Sequence, residues 1–313
     1  MVTLLALGAA LAYGVADFLG GAVSRRTSAL KALAWCVPVG LAVILAAALV
    51  IGGRFTWTSL AWGFGAGLAG GTGLITFYRA LARGPMSVVA PVSALAAAVL
   101  PVGVGTLRGE QLDAPVLAGV LLCLVAIGLI SMENNTPTAT GASPNPSASP
   151  EAAASTDGRV AGMPAWSARL ADSGPLMAGI SGVCFGIFFI MLKGAGDASG
   201  LWPVVAARVG NLCVIGAALA VMIWARGADL GPPVSGRLLI GLAVLSGTLD
   251  ASANALYFVA AQQGMLSLAA VLTSLYPAIT VLLARIAYSE RLRVVQRLGL
   301  AIAAAGVALV TIG

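Results

Sequence analysis

Asp250, Asn254 and Tyr257 follow one another at i, i+4 and i+7 within an otherwise apolar stretch, so a helix there carries a carboxylate, an amide and a phenol on one face. Tyr13 and Asp17 repeat the pattern near the start of the chain, four residues apart in "ALAYGVADFLGG". Thr72, Thr76 and Arg79 make a third polar stripe, and Arg208 and Asn211 are neighbours on a fourth apolar stretch. A charge at the centre of a membrane helix costs about 2.5–3.5 kcal/mol on insertion scales, so each carboxylate requires a partner or an aqueous cavity. Two chemistries meet that requirement. In one, Asp17 or Asp250 pairs permanently with Arg79 or Arg208, and the polar faces are glue between helices. In the other, the faces line a solute cavity, and Asp250, with Asp17 as companion, exchanges a proton or a solute amine and so couples transport to a gradient. A sealed apolar bundle has no need of four polar-faced helices, which favours the cavity. The aromatic residues Tyr13, Phe77, Tyr78, Phe185, Tyr257 and Tyr276 lie inside apolar stretches, where they either stack a planar or cationic solute or pack the core. The expected solute-binding set is Tyr13, Asp17, Tyr78, Phe185, Asp250, Asn254, Tyr257 and Tyr276.

Catalysis, metal binding and nucleic-acid binding find little to work with. There is no His, and the four Cys each sit in an apolar run, so neither metal-ligand spacing nor a disulfide framework emerges. An intramembrane hydrolase needs paired Asp, a Ser/Lys pair or a His-rich metal site, and Asp17 and Asp250 lie far apart without a neighbouring nucleophile pattern. No enzyme activity, cofactor or metal is expected. The net charge of +6 comes from basic residues standing singly or in pairs at the ends of apolar runs, which points to a lipid bilayer and not to nucleic acid. With 59% hydrophobic and 9% charged residues and a mean hydropathy of +1.00, the chain is far from the roughly 25% charged composition of a soluble domain.

Ten segments are long and apolar enough to cross a hydrocarbon core: 3–22, 29–51, 57–79, 86–107, 114–132, 175–193, 203–224, 237–259, 266–287 and 294–312. The first lacks the basic flank of a secretory signal and reads as a retained helix. Trp57, Trp62, Trp202 and Trp224 near segment ends read as an interfacial belt. Gly63, Gly67 and Gly71, at four-residue spacing, form a track for close helix packing and not a phosphate loop, since no strand precedes them. Residues 133–173, including "NNTPTATGASPNPSASPEAAAS", carry almost no large apolar side chains and are expected to be a disordered linker. That linker divides the chain into a first five-helix repeat, 1–132, and a second, 174–313. Sliding the chain by 180 residues aligns 84–132 with 264–312 without a gap, matching Gly84/Gly264, Ser87/Ser267, Glu110/Glu290 and Gly119/Gly299 among others. An odd number of spans per repeat places the two in opposite orientations. Pro91, Pro101 and Pro277 fall inside spans, and Pro91 and Pro277 are the hinge candidates, with a static kink as the alternative. Glu110 and Glu290 are expected to stabilise helix N-termini or pair with Arg108 and Arg291.

The tandem five-helix plan, "SLYPAITVLLARIAYSERL" followed by "QRLGLAIAAAGVAL", and the weaker copy ending "RGEQL…AGVLLCLVAIGL" resemble the drug/metabolite transporter superfamily, in its ten-helix type with two EamA domains. "ALAYGVADFLGG" and "SGVCFGIFF" look like that family's first helix in each half. The resemblance implies an all-α polytopic membrane protein, two inverted repeats in a basket-like bundle, with a central cavity lined by helices 1, 3, 4, 6, 8 and 9. It implies a secondary-active transporter that exports or imports a small organic metabolite, such as an amino acid, amine or drug-like compound, by alternating access; export is the expected direction, and the carboxylates at Asp250 and Asp17 add the expectation of proton coupling. A lipid-linked sugar flippase or a non-transporting structural subunit is the alternative. The expected setting is a bacterial inner (cell) membrane and the expected partners are a small-molecule solute and the bilayer, the protein being a monomer with a homodimer as the other option. Two features depart from the family pattern: Ala96-Ala97 stands where the second repeat has Tyr276-Pro277, and the linker is long. Thirteen of the 17 Lys and Arg fall on the side of the odd-numbered loops, which places both termini outside the cytoplasm. The resemblance implies cytoplasmic termini instead.

Overall fold

A computed structural model describes residues 1–24, 27, 29–83, 86–110, 113–130, 174–226, 236–288 and 294–312 of the chain; the linker 133–173, Glu290 and the side chains of Tyr78 and Pro91 fall outside that description. Every element among the described residues is a helix, as a lipid-exposed backbone must be to satisfy its own polar groups. In order they form α1 (Val2–Ser24), α2 (Ala29–Ile51), α3 (Trp57–Arg83), α4 (Met86–Leu107) and α5 (Ala114–Ile130). The second half follows as α6 (Gly174–Gly194), α7 (Trp202–Arg226), α8 (Arg237–Gln263), α9 (Leu266–Thr273), α10 (Tyr276–Tyr288) and α11 (Val294–Ile312). Among the described residues, α1, α2, α3, α6, α7 and α8 are each long and apolar enough to cross a membrane alone. Shorter apolar stretches at Val92–Leu107, Ala114–Leu129, Leu266–Thr280 and Arg297–Leu309 supply the remaining four of ten passes.

The ninth pass differs from the single span expected over 266–287. It breaks at Ser274 and Leu275 into α9 and α10. Pro277 has no N–H to give the Thr273 carbonyl, and its ring disfavours helical geometry at the residue before it. The chain tightens instead, with Leu275 N donating to Leu272 O at 3.3 Å and Ala278 N to Leu275 O at 2.9 Å. Pro277 therefore sits in the first turn of α10, where a missing donor is tolerated. In the first repeat α4 runs unbroken through Pro91 and Pro101. The Pro pair alone does not break a helix; the second repeat's Tyr276-Pro277 does.

Each half packs mainly against the other. The largest interfaces are α3 with α6 and α7, α1 with α8, α5 with α11, and α4 with α6. Exchanging each helix for its counterpart one repeat away turns α3·α6 into α8·α1 and α4·α6 into the packing of α1 on α9 and α10, as an inverted pseudo-two-fold requires. Glycine makes these approaches possible. A Cβ on Gly63 or Gly67 of α3 would strike the carbonyls of Pro203 or Ala207 on α7, and one on Gly247 of α8 would strike that of Cys36 on α2. The outward faces carry exposed Leu4, Leu49, Val50, Leu121 and Val125, with Trp57 and Trp224 exposed at helix ends. Such a surface is stable only in lipid.

Candidate functional site

Half-way along the bundle lies a cavity of about 710 Å³, counting its open part. α1 contributes Tyr13 and Asp17, one turn apart on the face it turns inward, and α8 contributes Asp250 and Asn254 in the same way. α10 opens with Tyr276, whose ring lies 6.2 Å from that of Tyr13. α6 brings Phe185, Phe188 and Phe189, and Phe185 meets Phe77 of α3 edge-on at 6.3 Å. Gly70 and Leu74 of α3, Ala97 of α4 and Asn211 of α7 complete the wall. These are the six passes the resemblance implies, with the seventh joining through Asn211.

Of the two carboxylates, Asp250 is committed. Its Oδ2 lies 2.5 Å from Nη1 of Arg208, which is 2% exposed, while the Asp250 side chain is 34% exposed. Asn254 Nδ2 donates to the Asp250 backbone carbonyl at 2.7 Å and reaches its Oδ1 at 3.5 Å. Of the arginines considered as ion-pair partners, Arg208 takes the role. Arg79 is exposed. Asp17 makes no hydrogen bond or ion pair with any described residue. Asn211 is buried, and its Oδ1, itself shut off from solvent, has no partner among the described residues; a Cβ added at Gly70 would stand 3.1 Å from it.

Several expected site residues sit elsewhere. Tyr257 lies outside the cavity lining, fully buried. It stacks on Phe189 with ring centroids 4.3 Å apart and donates its hydroxyl to the Phe189 carbonyl at 3.2 Å. Seven residues are two helical turns, about 10 Å, so Tyr257 shares a face with Asp250 but not a depth. Thr72 and Thr76 donate to carbonyls of their own helix, Leu68 and Thr72, each at 2.8 Å, and so need no cavity. Phe77, next to the undescribed Tyr78 side chain, faces inward. Phe188, Phe189 and Asn211 were absent from the expected set. Spacing offered a signal, because Phe188 and Phe189 stand three and four residues from Phe185, and Asn211 three from Arg208.

The lining residues sit near the middle of their helices. At the end where α4 and α6 finish, hydrogen bonds tie α4 to α9 across the two halves and α6 to α8 within the second half. α4 ends in a Schellman turn, with Gly109 at φ +87°, Glu110 N donating to Gly105 O at 3.0 Å and Gly109 N to Thr106 O at 3.0 Å. The turn aims the Glu110 carboxylate at the start of α9. There it accepts from Leu266 N at 2.6 Å and from Ser267 N and Oγ at 3.1 and 2.7 Å. Glu110 thus stabilises a helix N-terminus as expected, but of α9 and not of the helix that follows it in sequence. Lys193 Nζ donates to the carbonyls of Ala261 and Gly264, and Gln262 Nε2 to those of Leu192 and Lys193, both at 3.1 Å. Among the described residues no group of His, Cys, Asp and Glu is placed to hold a metal ion.

Residues 172–312 match the EamA-like transporter family. The second half of this chain is thus similar to an EamA domain. That family is one of transporters, and the long apolar helices of this chain read as those of a multi-pass membrane protein. A solved structure described as "Crystal structure of protein" superposes with a TM-score of 0.71 at 20% identity, covering 99% of this chain and 96% of the other. That likeness carries the fold across the first half as well. No curated protein matches the chain.

Proposed function

We propose that this protein is a secondary transporter that moves a small organic solute by alternating access, with the mid-bundle cavity as its solute site. The observation that carries the reading is the cavity's lining: two carboxylates, two amides and several aromatic rings, held at hydrocarbon depth by passes from both repeats. One end of the bundle is tied by Glu110, Lys193 and Gln262, which favours access to the cavity from the other. The excess of Lys and Arg on the odd-numbered loops supports a cytoplasmic placement of that other end, by which solute loads from the cytoplasm and is exported.

Purified protein in proteoliposomes, screened against amino acids, amines and nucleosides, is expected to show stimulated flux of one class. Ala97→Phe, which fills the cavity, should abolish that flux while the protein still elutes as a monodisperse species. Flux unaffected by Ala97→Phe, or no flux of any solute, would remove the reading.

A further inference from the structure

Resting on the transport reading above, we propose that two ties joining the halves, at the end where α4 and α6 finish, do opposite jobs. The knot of Thr56 and Ser199 is a fixed pivot that stays made throughout the cycle, and the Glu110 cap on α9 is a latch whose release opens the cavity at that end. The knot rests largely on backbone. Arg54 N donates to Ala198 O at 3.3 Å, Thr56 Oγ1 lies 2.8 Å from Ser199 Oγ, and Ser59 Oγ donates to Ala195 O at 2.7 Å. Ser59 and Ser199 are buried, where a broken hydrogen bond finds no water to replace it. A Cβ on Gly53 would strike the Ser199 carbonyl, and one on Gly200 that of Gly52. The contact continues into the bilayer, where Gly63 and Gly67 of α3 lie against the carbonyls of Pro203 and Ala207, and Gly210 of α7 against that of Phe64. Rotating a side chain parts none of these, so the interlocked backbones move as one.

The latch, by contrast, is a single side chain near the surface. Thr106 to Gly109 are exposed and Glu110 is half-buried. One carboxylate makes all the bonds to Leu266 N, Ser267 N and Ser267 Oγ, and water satisfies a helix N-terminus in the same way once the carboxylate leaves. The two sides of the latch are also supported differently. Beside α9, Tyr257, Gln262 and Lys193 bind α8 to α6, so the start of α9 is anchored on a stiff pair. α4 is seated closely against α6 before Pro101: a Cβ on Gly182 would strike the Ser93 carbonyl, and one on Gly186 would meet Leu100 Cβ at 2.9 Å. Pro101 has no N–H for the Ala97 carbonyl, which removes one rung between the seated part of α4 and its tip. Ala97 lines the cavity, so a tip that tilts away from α9 uncovers a path to it. Gly105 lies directly under the latch, where a Cβ would fall on Ser267 Oγ and the Glu110 carboxylate.

The test reads access to the cavity and needs no identified solute. In the full-length protein with its four native Cys replaced by Ala, Leu74→Cys puts one thiol in the cavity wall, and a membrane-impermeant maleimide is applied from each side of the membrane. Without cross-links, labelling is expected from both sides. Two added pairs are then compared, oxidised against reduced. Gly105→Cys with Ser267→Cys locks the latch, and Thr56→Cys with Ser199→Cys locks the knot; both suit a disulfide, whose Cβ atoms lie about 3.5–4.5 Å apart. Oxidising the first pair should cut labelling of Leu74→Cys from the side on which α4 ends by roughly tenfold or more, keep labelling from the other side, and be reversed by reduction. Oxidising the second should change neither side. Glu110→Ala, without any cross-link, should raise labelling from the side on which α4 ends, and it decides the latch if the first pair fails to fold. Labelling that survives the locked latch or stays level in Glu110→Ala, or labelling lost with the locked knot, would overturn the assignment. A thiol reached from one side only, or from neither, in the protein without cross-links would sink the transport reading itself.

Discussion

Arg208 is buried almost completely, its Nη1 on Asp250 and its Nη2 without a partner among the described residues, so Asp250 matters most through what its loss leaves behind. Removing one member of a buried pair costs about 3–5 kcal/mol, and the partial exposure of Asp250 to the cavity argues for the lower end. Asp250→Asn is therefore expected to lower the thermal midpoint markedly, and the double change Asp250→Leu with Arg208→Met to recover most of it. A melt of Asp250→Asn indistinguishable from wild type would show that Asp250 has an exchangeable partner. Spacing within one helix revealed which polar residues share a face, and so identified Asp17, Asp250 and Asn254. It carried no information about which arginine from another helix arrives opposite, nor about depth, which is why Tyr257 was grouped with a site two turns away. Pairing and depth are tertiary facts.

At the level of helices, the close contacts are set by absent side chains. Gly67→Ala would drive a Cβ into the Ala207 carbonyl of α7, a backbone atom that cannot swing aside. We expect a loss of at least about 2 kcal/mol from overpacking, read as reduced yield of monodisperse protein. Gly103→Ala on α4, where nothing stands within 4 Å, should behave as wild type. The four-residue glycine spacing in the sequence foretold a packing track but not its partner. The Schellman turn after α4 yields a second expectation. Glu110→Ala removes three acceptor contacts at the start of α9, so amide exchange at Leu266 and Ser267 should rise by about tenfold or more, since a charge-assisted hydrogen bond contributes roughly 1.5–3 kcal/mol. Unchanged protection there would mean that α9 is held by packing alone. The break between α9 and α10 was half visible in sequence, as a proline pair read as a kink within one span.

For the molecule as a whole, the two-fold exchange of interfaces accounts for the legibility of the architecture. A duplicated unit leaves a register in the sequence, and ten apolar runs leave the number of passes. Orientation left a weaker trace, because charge bias and family resemblance point opposite ways. The export reading requires the odd-numbered loops in the cytoplasm and both termini outside it. A C-terminal alkaline phosphatase fusion should then be active and a green fluorescent fusion dark in a bacterial host. The reverse result would invert the direction of transport inferred from the tied end of the bundle, while leaving the cavity and its chemistry unchanged.

Because most large interfaces join one half to the other, the order of synthesis imposes a delay. Ala207 emerges 140 residues after Gly67, so at roughly 5–20 residues per second the glycine face of α3 waits on the order of ten seconds for its mate. Until then the first five helices stand in the bilayer with their best packing surfaces facing lipid or a membrane chaperone. Residues 1–132 produced alone should accordingly be cleared by quality-control proteases, and co-production of 174–313 as a separate chain should rescue both to comparable levels. Accumulation of the first half by itself would show that it matures without its twin.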